Sequence, residues 1–211
     1  MTGTIVNRDV WLKERMALLR REKAVTRELD LLALERQKHP WVSIKKTYEL
    51  ELPEGKVTLE ELFGSNHQLI IYHFMYGPQW KSPCDGCSAW AEAFNGTLGQ
   101  LERHDAALVA VSRAPIDMIN EVKKSRAWTF PWASSYNSAF NSDFHMSVPP
   151  DCESVMVGDE IIAYDRGESG GINVFVKTDD GICHTYSAHN RGIQQMNGTY
   201  GYIDLLPYGG N

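Results

Sequence analysis

Two buried-strand patterns flanking a helical stretch constrain this chain more than anything else in it. Q-L-I-I-Y-H-F-M-Y (68–76) and A-A-L-V-A-V-S (106–112) are apolar on both alternating faces. That pattern suits strands covered on both sides. Between them, residues from Ser88 to about His104 carry helical spacing, and Pro115 sits where a further helix would begin, running to about Arg126. W-T-F-P-W-A-S-S (128–135) reads as another short strand. Residues 145–171 look irregular; then I-N-V-F-V-K (172–177), T-D-D-G (178–181) and I-C-H-T-Y-S (182–187) spell a β-hairpin. Arg191-Gly192 starts a last short helix. Alternating strands and helices require a mostly parallel central sheet flanked by helices, an α/β fold.

The N-terminal region differs in kind. From about Arg8 to Lys38 the chain is rich in Leu, Glu, Arg and Lys without Gly or Pro, and so reads as helix. Asn7 or Thr26 could cap a helix start, which allows a break near Ala24–Thr26. Pro40 closes the region, V-S-I-K-K-T-Y-E-L-E-L (42–52) alternates like a strand, and Thr58 with Glu61 forms a T-x-x-E capping box. Residues 1–50 carry a net charge of +4 and residues 51–211 a net of -10. The expected organisation is an N-terminal helical extension, 1–60, packed on a body of residues 61–211. Trp11 and Trp41 are its candidate anchors, Leu205, Leu206 and Tyr208 its candidate partners, and its apolar stripe leaves room for a homodimer.

Several classes fall away on composition. No run of ~18 apolar residues exists, so no membrane span is expected. The first 25 residues hold six cations without an unbroken apolar stretch, which speaks against a cleaved signal peptide. A net charge of -6 argues against nucleic acid as a partner. Four cysteines are too few for a disulfide scaffold of 211 residues, and with no export signal the expected compartment is the cytoplasm.

Two of those cysteines, Cys84 and Cys87, form C-x-x-C directly after the first buried strand and at the start of a helix. That placement is thioredoxin-like. Unpaired N–H groups at a helix start favour the thiolate of Cys84, the attacking species, so Cys84 reads as nucleophile and Cys87 as resolving thiol. Asp85 pulls the other way, because a neighbouring carboxylate disfavours ionisation.

Longer segments carry a resemblance. E-K-A-V-T-R-E-L-D (22–30), H-P-W-V (39–42), Y-H-F-M-Y-G-P-Q-W (72–80), C-D-G-C-S (84–88), V-S-R-A-P (111–115), F-P-W-A-S-S (130–135), H-T-Y-S (184–187) and D-L-L-P-Y-G (204–209) span nearly the whole chain. They resemble an uncharacterised thioredoxin-like family of bacteria and fungi, labelled predicted dithiol-disulfide isomerases. The resemblance implies a thioredoxin-like fold with peroxiredoxin-like element order and not a reaction; the placement of C-x-x-C is what points to thiol–disulfide exchange on a protein or small-molecule partner, with no cofactor required. Two departures stand out. Glu168, Ser169, Gly170 and Gly171 occupy the place where thioredoxins carry a cis-proline, and Pro83 precedes Cys84 where they carry Trp. The peroxiredoxin signature P-x-x-x-[ST]-x-x-C fits neither Cys84 nor Cys87.

Glycine in place of that proline would let a metal approach, so the alternative is copper or zinc held by Cys84, Cys87 and one histidine. His184 and His73 are the candidates; strict alternation would put His184 on one strand face with Tyr186, and Cys183 with Thr185 on the other. Trp80, Asp85, Arg113, Trp132 and Tyr186 are the candidate pocket residues. Arg113 is expected to meet a substrate carboxylate, Asp85 or an exposed partner. Ser134 and Ser135 belong to no hydrolase motif.

Overall fold

The computed structural model describes residues 3–207. They fall into two compact units: the N-terminal residues up to Pro40 together with the chain from Gly201 onward, and Trp41–Tyr200. The first is built on α1 (Arg8–Arg36), one unbroken helix of 29 residues. Asn7 caps it by accepting the Val10 N–H at 3.0 Å. Thr26 starts nothing: its hydroxyl bonds back to the Glu22 carbonyl at 3.1 Å, so the helix runs through it. α1 buries none of its side chains, and Trp11 is 45% exposed.

The larger unit is an eight-stranded mixed sheet. Its strands are β1 (Val42–Ser43), β2 (Glu49–Leu52), β3 (Gly55–Thr58), β4 (Gln68–His73), β5 (Ala106–Ser112), β6 (Trp132–Ser134), β9 (Gly171–Thr178) and β10 (Gly181–His189). They lie in the order β1-β10-β9-β4-β5-β6-β2-β3. A separate two-stranded hairpin, β7 (Ser154–Val157) with β8 (Glu160–Ala163), fills the stretch expected to be irregular. Only β4–β5 and β5–β6 pair in parallel. The sheet is therefore less parallel than simple alternation implies, because a hairpin closes one side and N-terminal strands close the other. Residues 42–52 do not form one strand. They divide into β1, which pairs with β10, and β2, which reaches β6 at the opposite side of the sheet. Strands from 42–58 thus belong to the sheet rather than to a helical extension ending at residue 60.

Helices α2 (Asp85–Ala91), α3 (Phe94–Glu102) and α4 (Ile116–Arg126) follow β4 and β5. The helix expected over 88–104 is two helices, since Ala93 N–H turns tightly to the Trp90 carbonyl. Asn95 then pins the start of α3 by accepting from the N–H groups of Thr129 and Phe130. The capping box forms as read: Glu61 accepts from Thr58 N–H, and Thr58 Oγ1 accepts from Glu61 N–H, opening a 3-10 turn at Glu61–Phe63. α5 (Phe140–Asp143) and α6 (Gly198–Ile203) are short, with a 3-10 stretch, Asn190–Met196, after β10.

Strand parity divides the core in two. Tyr72, Leu108, Ala110, Trp132 and Ile172 face one side with Trp90 and Phe94. Leu69, Ile71, Val109, Val111, Ala133 and Phe175 face the other with Phe63 and Phe140. Trp132 is fully buried, stacked on Phe74 at 4.4 Å, and its indole N–H reaches Ser112 Oγ at 2.9 Å. A buried Trp held by both ring contacts and a satisfied donor fixes that side of the sheet.

Candidate active site

Cys84 stands at the junction between the β4 end and α2. Its own N–H bonds the Met75 carbonyl at 3.1 Å, and its carbonyl takes both the Ser88 N–H and the Ser88 hydroxyl at 2.9 Å. Cys84 Sγ is the N-cap of α2, accepting the Cys87 N–H at 3.4 Å. The chain is locked here by hydrogen bonds made by backbone and a small hydroxyl. Cys84 is partly exposed and Cys87 is buried; both are free thiols.

The two sulfurs titrate in opposite directions. Cys84 is lowered from 9.0 to about 6, first by a hydrogen bond from the Cys87 thiol, against partial burial, and with further help from the backbone N–H groups of Cys87 and Gly86. Cys87 is pushed up, because its proton is engaged by Cys84 and burial penalises its charge. The Asp85 carboxylate opposes ionisation of Cys84 as anticipated, but it is the smallest of the causes, and the net shift is downward. Asp85 is exposed at the first position of α2, turned to water that screens it.

A cleft of about 400 Å³ opens beside the pair, with Cys84, Cys87, Tyr72, Met75, Trp90 and Gly170 among its walls. Gly170 sits in the segment that replaces the cis-proline of thioredoxins; a side chain there would meet Met75 and the His73 carbonyl at 3.6–3.7 Å. Of the pocket residues expected from sequence, Trp80, Asp85, Arg113 and Trp132 are not among the walls of this cleft. Trp80 is buried and covered by the Arg166 guanidinium, 3.8 Å above its ring. Trp132 is core. Arg113 pairs not with Asp85 or an exposed acid but at 2.7 Å with Glu168, a carboxylate only 1% exposed. Burial raises the Glu168 carboxyl even against that cation. Tyr186 lines a neighbouring cavity rather than the cleft.

The expected shared face of His184 and Tyr186 is overturned. The β9–β10 register shifts between His184 and Tyr186, a bulge at Thr185 that reverses parity. His184 therefore lies against Phe144 and Phe175, and Tyr186 packs on the cysteine side. His73 shares the His184 side. It is fully buried, stacked on Phe140, with Asn173 Nδ2 donating to its Nε2 at 2.9 Å. An amide nitrogen can only donate, so the neutral ring carries its proton on Nδ1. Burial lowers His73 from 6.5 to about 3, although a hydrogen bond with Asn141 opposes this. Both candidate histidines thus sit across the sheet from the thiols, and among the described residues no three His, Cys, Asp or Glu side chains gather at metal-ligand spacing. Nor is any described helix long and apolar enough to cross a membrane.

The sequence reading missed Tyr72 and Met75 as cleft walls, whereas Gly170 lies in the segment singled out as standing in for the cis-proline. Tyr72 carried a usable signal: on β4 it has the parity opposite to His73, three residues before Met75, at the strand end that leads to Cys84.

Comparison with known proteins follows the same outline. The family described as "Bacterial protein of unknown function (DUF899)" matches residues 1–211. No curated protein sequence matches. Among solved structures, a cysteine-to-serine mutant of Xanthomonas campestris peroxiredoxin Q is similar with a TM-score of 0.51 at 17% identity, covering 74% of this chain and 89% of that one. A second Xanthomonas campestris peroxiredoxin Q structure gives 0.50 at 16% identity with the same coverage. An uncharacterised thioredoxin-like protein from Porphyromonas gingivalis gives 0.46 at 15% identity, covering 74% and 84%. At such identities the likeness is one of fold, thioredoxin-like with peroxiredoxin-type arrangement.

Proposed function

The chain belongs to the bacterial family of unknown function DUF899, and from its site geometry we propose that it is a thiol–disulfide oxidoreductase cycling Cys84 and Cys87 between dithiol and disulfide. The observation that carries this reading is the division of labour between the two sulfurs: a partly exposed Cys84 lowered to about 6, and a buried Cys87 one turn on that keeps its proton. The downward shift of Cys84 enlarges its share of thiolate, the nucleophile of disulfide exchange.

Cys84 thiolate attacks one sulfur of a disulfide R–S–S–R′. The S–S bond breaks, R′–S⁻ leaves with the bonding pair and takes a proton from solvent, and a Cys84–S–S–R mixed disulfide remains. Forming that bond removes the thiolate that Cys87 had been hydrogen-bonded to. Cys87 gives up its proton and attacks Cys84 Sγ, releasing R–S⁻. The protein ends two electrons poorer with a Cys84–Cys87 bond, and a dithiol reductant resets it by the reverse steps. Glycine at 170 supports access, since it leaves the cleft open directly beside Met75.

The metal alternative, copper or zinc on Cys84, Cys87 and a histidine, draws less support because both candidate histidines face away from the thiols. The redox reading is tested by mixing reduced full-length protein with a small disulfide and following thiol release and protein mass. Wild type should form an intramolecular disulfide, Cys87→Ser should stop at the mixed disulfide, and Cys84→Ser should form neither. A mixed disulfide trapped on Cys87 rather than Cys84 would refute the assignment of roles.

A further inference from the structure

A second cavity, of about 280 Å³, lies next to the thiol cleft. The two share Tyr72 and Trp90, whose rings stack 5.5 Å apart and 4° from parallel. Tyr72 is buried at 2% exposure and Trp90 at 7%, and this stacked pair is a wall common to the chamber and the cleft. Beyond it, Phe94 and Leu101 from α3 and Ile172 and Tyr186 from the β9–β10 hairpin complete an almost wholly apolar chamber. The Thr185 bulge is what turns Tyr186 toward this chamber. Among the described residues, no Lys, Arg, His, Asp or Glu lines either the chamber or the cleft.

Resting on the redox reading above, we propose that this chamber binds the uncharged, apolar body of a small-molecule disulfide whose sulfur meets Cys84 in the adjoining cleft. A charged disulfide such as oxidised glutathione would bring carboxylates and ammonium groups to walls whose described residues hold no counter-ion, and desolvating them there is unfavourable. An apolar body gains by leaving water. Size sets a second limit. An apolar cavity of roughly 150 Å³ accommodates benzene, so this one takes an aromatic bicycle or a chain of roughly ten carbons. The chemistry is the exchange already written: the substrate S–S bond breaks, both halves leave as thiols, and the Cys84–Cys87 bond forms.

The test has two arms on the full chain. In the first, the uncharged bicyclic fluorophore 1-naphthylamine is titrated into wild type, Cys84→Ser/Cys87→Ser and Thr97→Phe, which places a ring in the chamber from α3. Saturable, one-to-one fluorescence enhancement should occur in the first two and weaken at least tenfold in the third. If Thr97→Phe does not fold, Ala93→Leu on the same wall should give the same loss. No saturable dye binding to folded wild type, or undiminished binding to a folded filled variant, overturns the chamber as a ligand site. In the second arm, oxidation of the dithiol is timed with a neutral aromatic disulfide and with oxidised glutathione. The ratio of the two rates should fall at least tenfold in Thr97→Phe; an unchanged ratio overturns the substrate class. Dye binding with no reaction of either disulfide overturns the redox reading and the substrate assignment with it, and leaves the chamber as a ligand site only.

Discussion

The two faces of the central sheet use their polar groups in opposite ways. On one face the sulfurs sit at the end of β4, where hydrogen bonds to Cys84 keep its charged form available beside an open cleft. On the other face His73 lies under Phe140, paired with Asn173, with its charged form suppressed. Tyr72, a wall of the cleft, and His73, a sealed core group, are consecutive residues of one strand. The difference teaches that local donors rather than the face alone set ionisation: Cys84 at the start of α2 is lowered by hydrogen bonds, whereas Cys87 and Tyr72 on the same face are pushed up and His73 opposite is pushed down by burial.

Substitutions can break that contrast, and the largest effect belongs to the packing of the thiol face. Trp132→Ala removes a fully buried ring and leaves its neighbours Phe74 and Trp128 facing a void. It should cost roughly 4 kcal/mol in chemical denaturation. Next is the Arg113–Glu168 pair, which ties the β5 end to the segment before Gly170. Arg113→Ala strands a buried carboxylate and should cost about 3 kcal/mol, whereas Arg113→Met with Glu168→Leu should recover much of it. Equal losses in the single and double variants would contradict the burial argument.

The histidine face is read through acid titration. With His73 lowered to about 3 when folded against 6.5 when unfolded, the unfolded chain binds the proton first as pH falls. Its contribution is fully present above pH 6.5 and is lost progressively from there down to about pH 3. Between pH 7 and pH 4, wild type should lose about 3 kcal/mol more stability than His73→Gln does. Parallel pH profiles would mean that His73 is not held neutral. The smallest effect should come from Asp85→Asn, which lowers the pH midpoint of Cys84 alkylation slightly, the sign set by loss of an unfavourable carboxylate.

Much of this was legible in sequence because the signals are local. Continuous apolar strands, the capping box at Thr58 and Glu61, the Asn7 cap and the C-x-x-C placement each depend on residues a few positions apart. What escaped depends on longer reach or on a count that slips. The bulge at Thr185 inserts one residue and so moved His184 and Tyr186 to opposite faces, which no alternation pattern records. Arg113 finds Glu168 across 55 residues of chain. The β7–β8 hairpin escaped because its strands are only four residues long, too short for a period to stand out, and because apolar Met156 and Ile161 are exposed beside the buried Ile162. The strand over 42–52 broke because its two ends serve opposite edges of one sheet.

One bond, between Cys84 and Cys87, carries the proposed chemistry. The full chain, equilibrated in a graded series of dithiol and disulfide buffers, should lose two thiols together in a single transition. Proteolytic mapping of the oxidised form should place them at Cys84 and Cys87, with Cys152 and Cys183 still free. Four free thiols across the whole series, or an oxidised form linked through Cys152 or Cys183 instead, would contradict it.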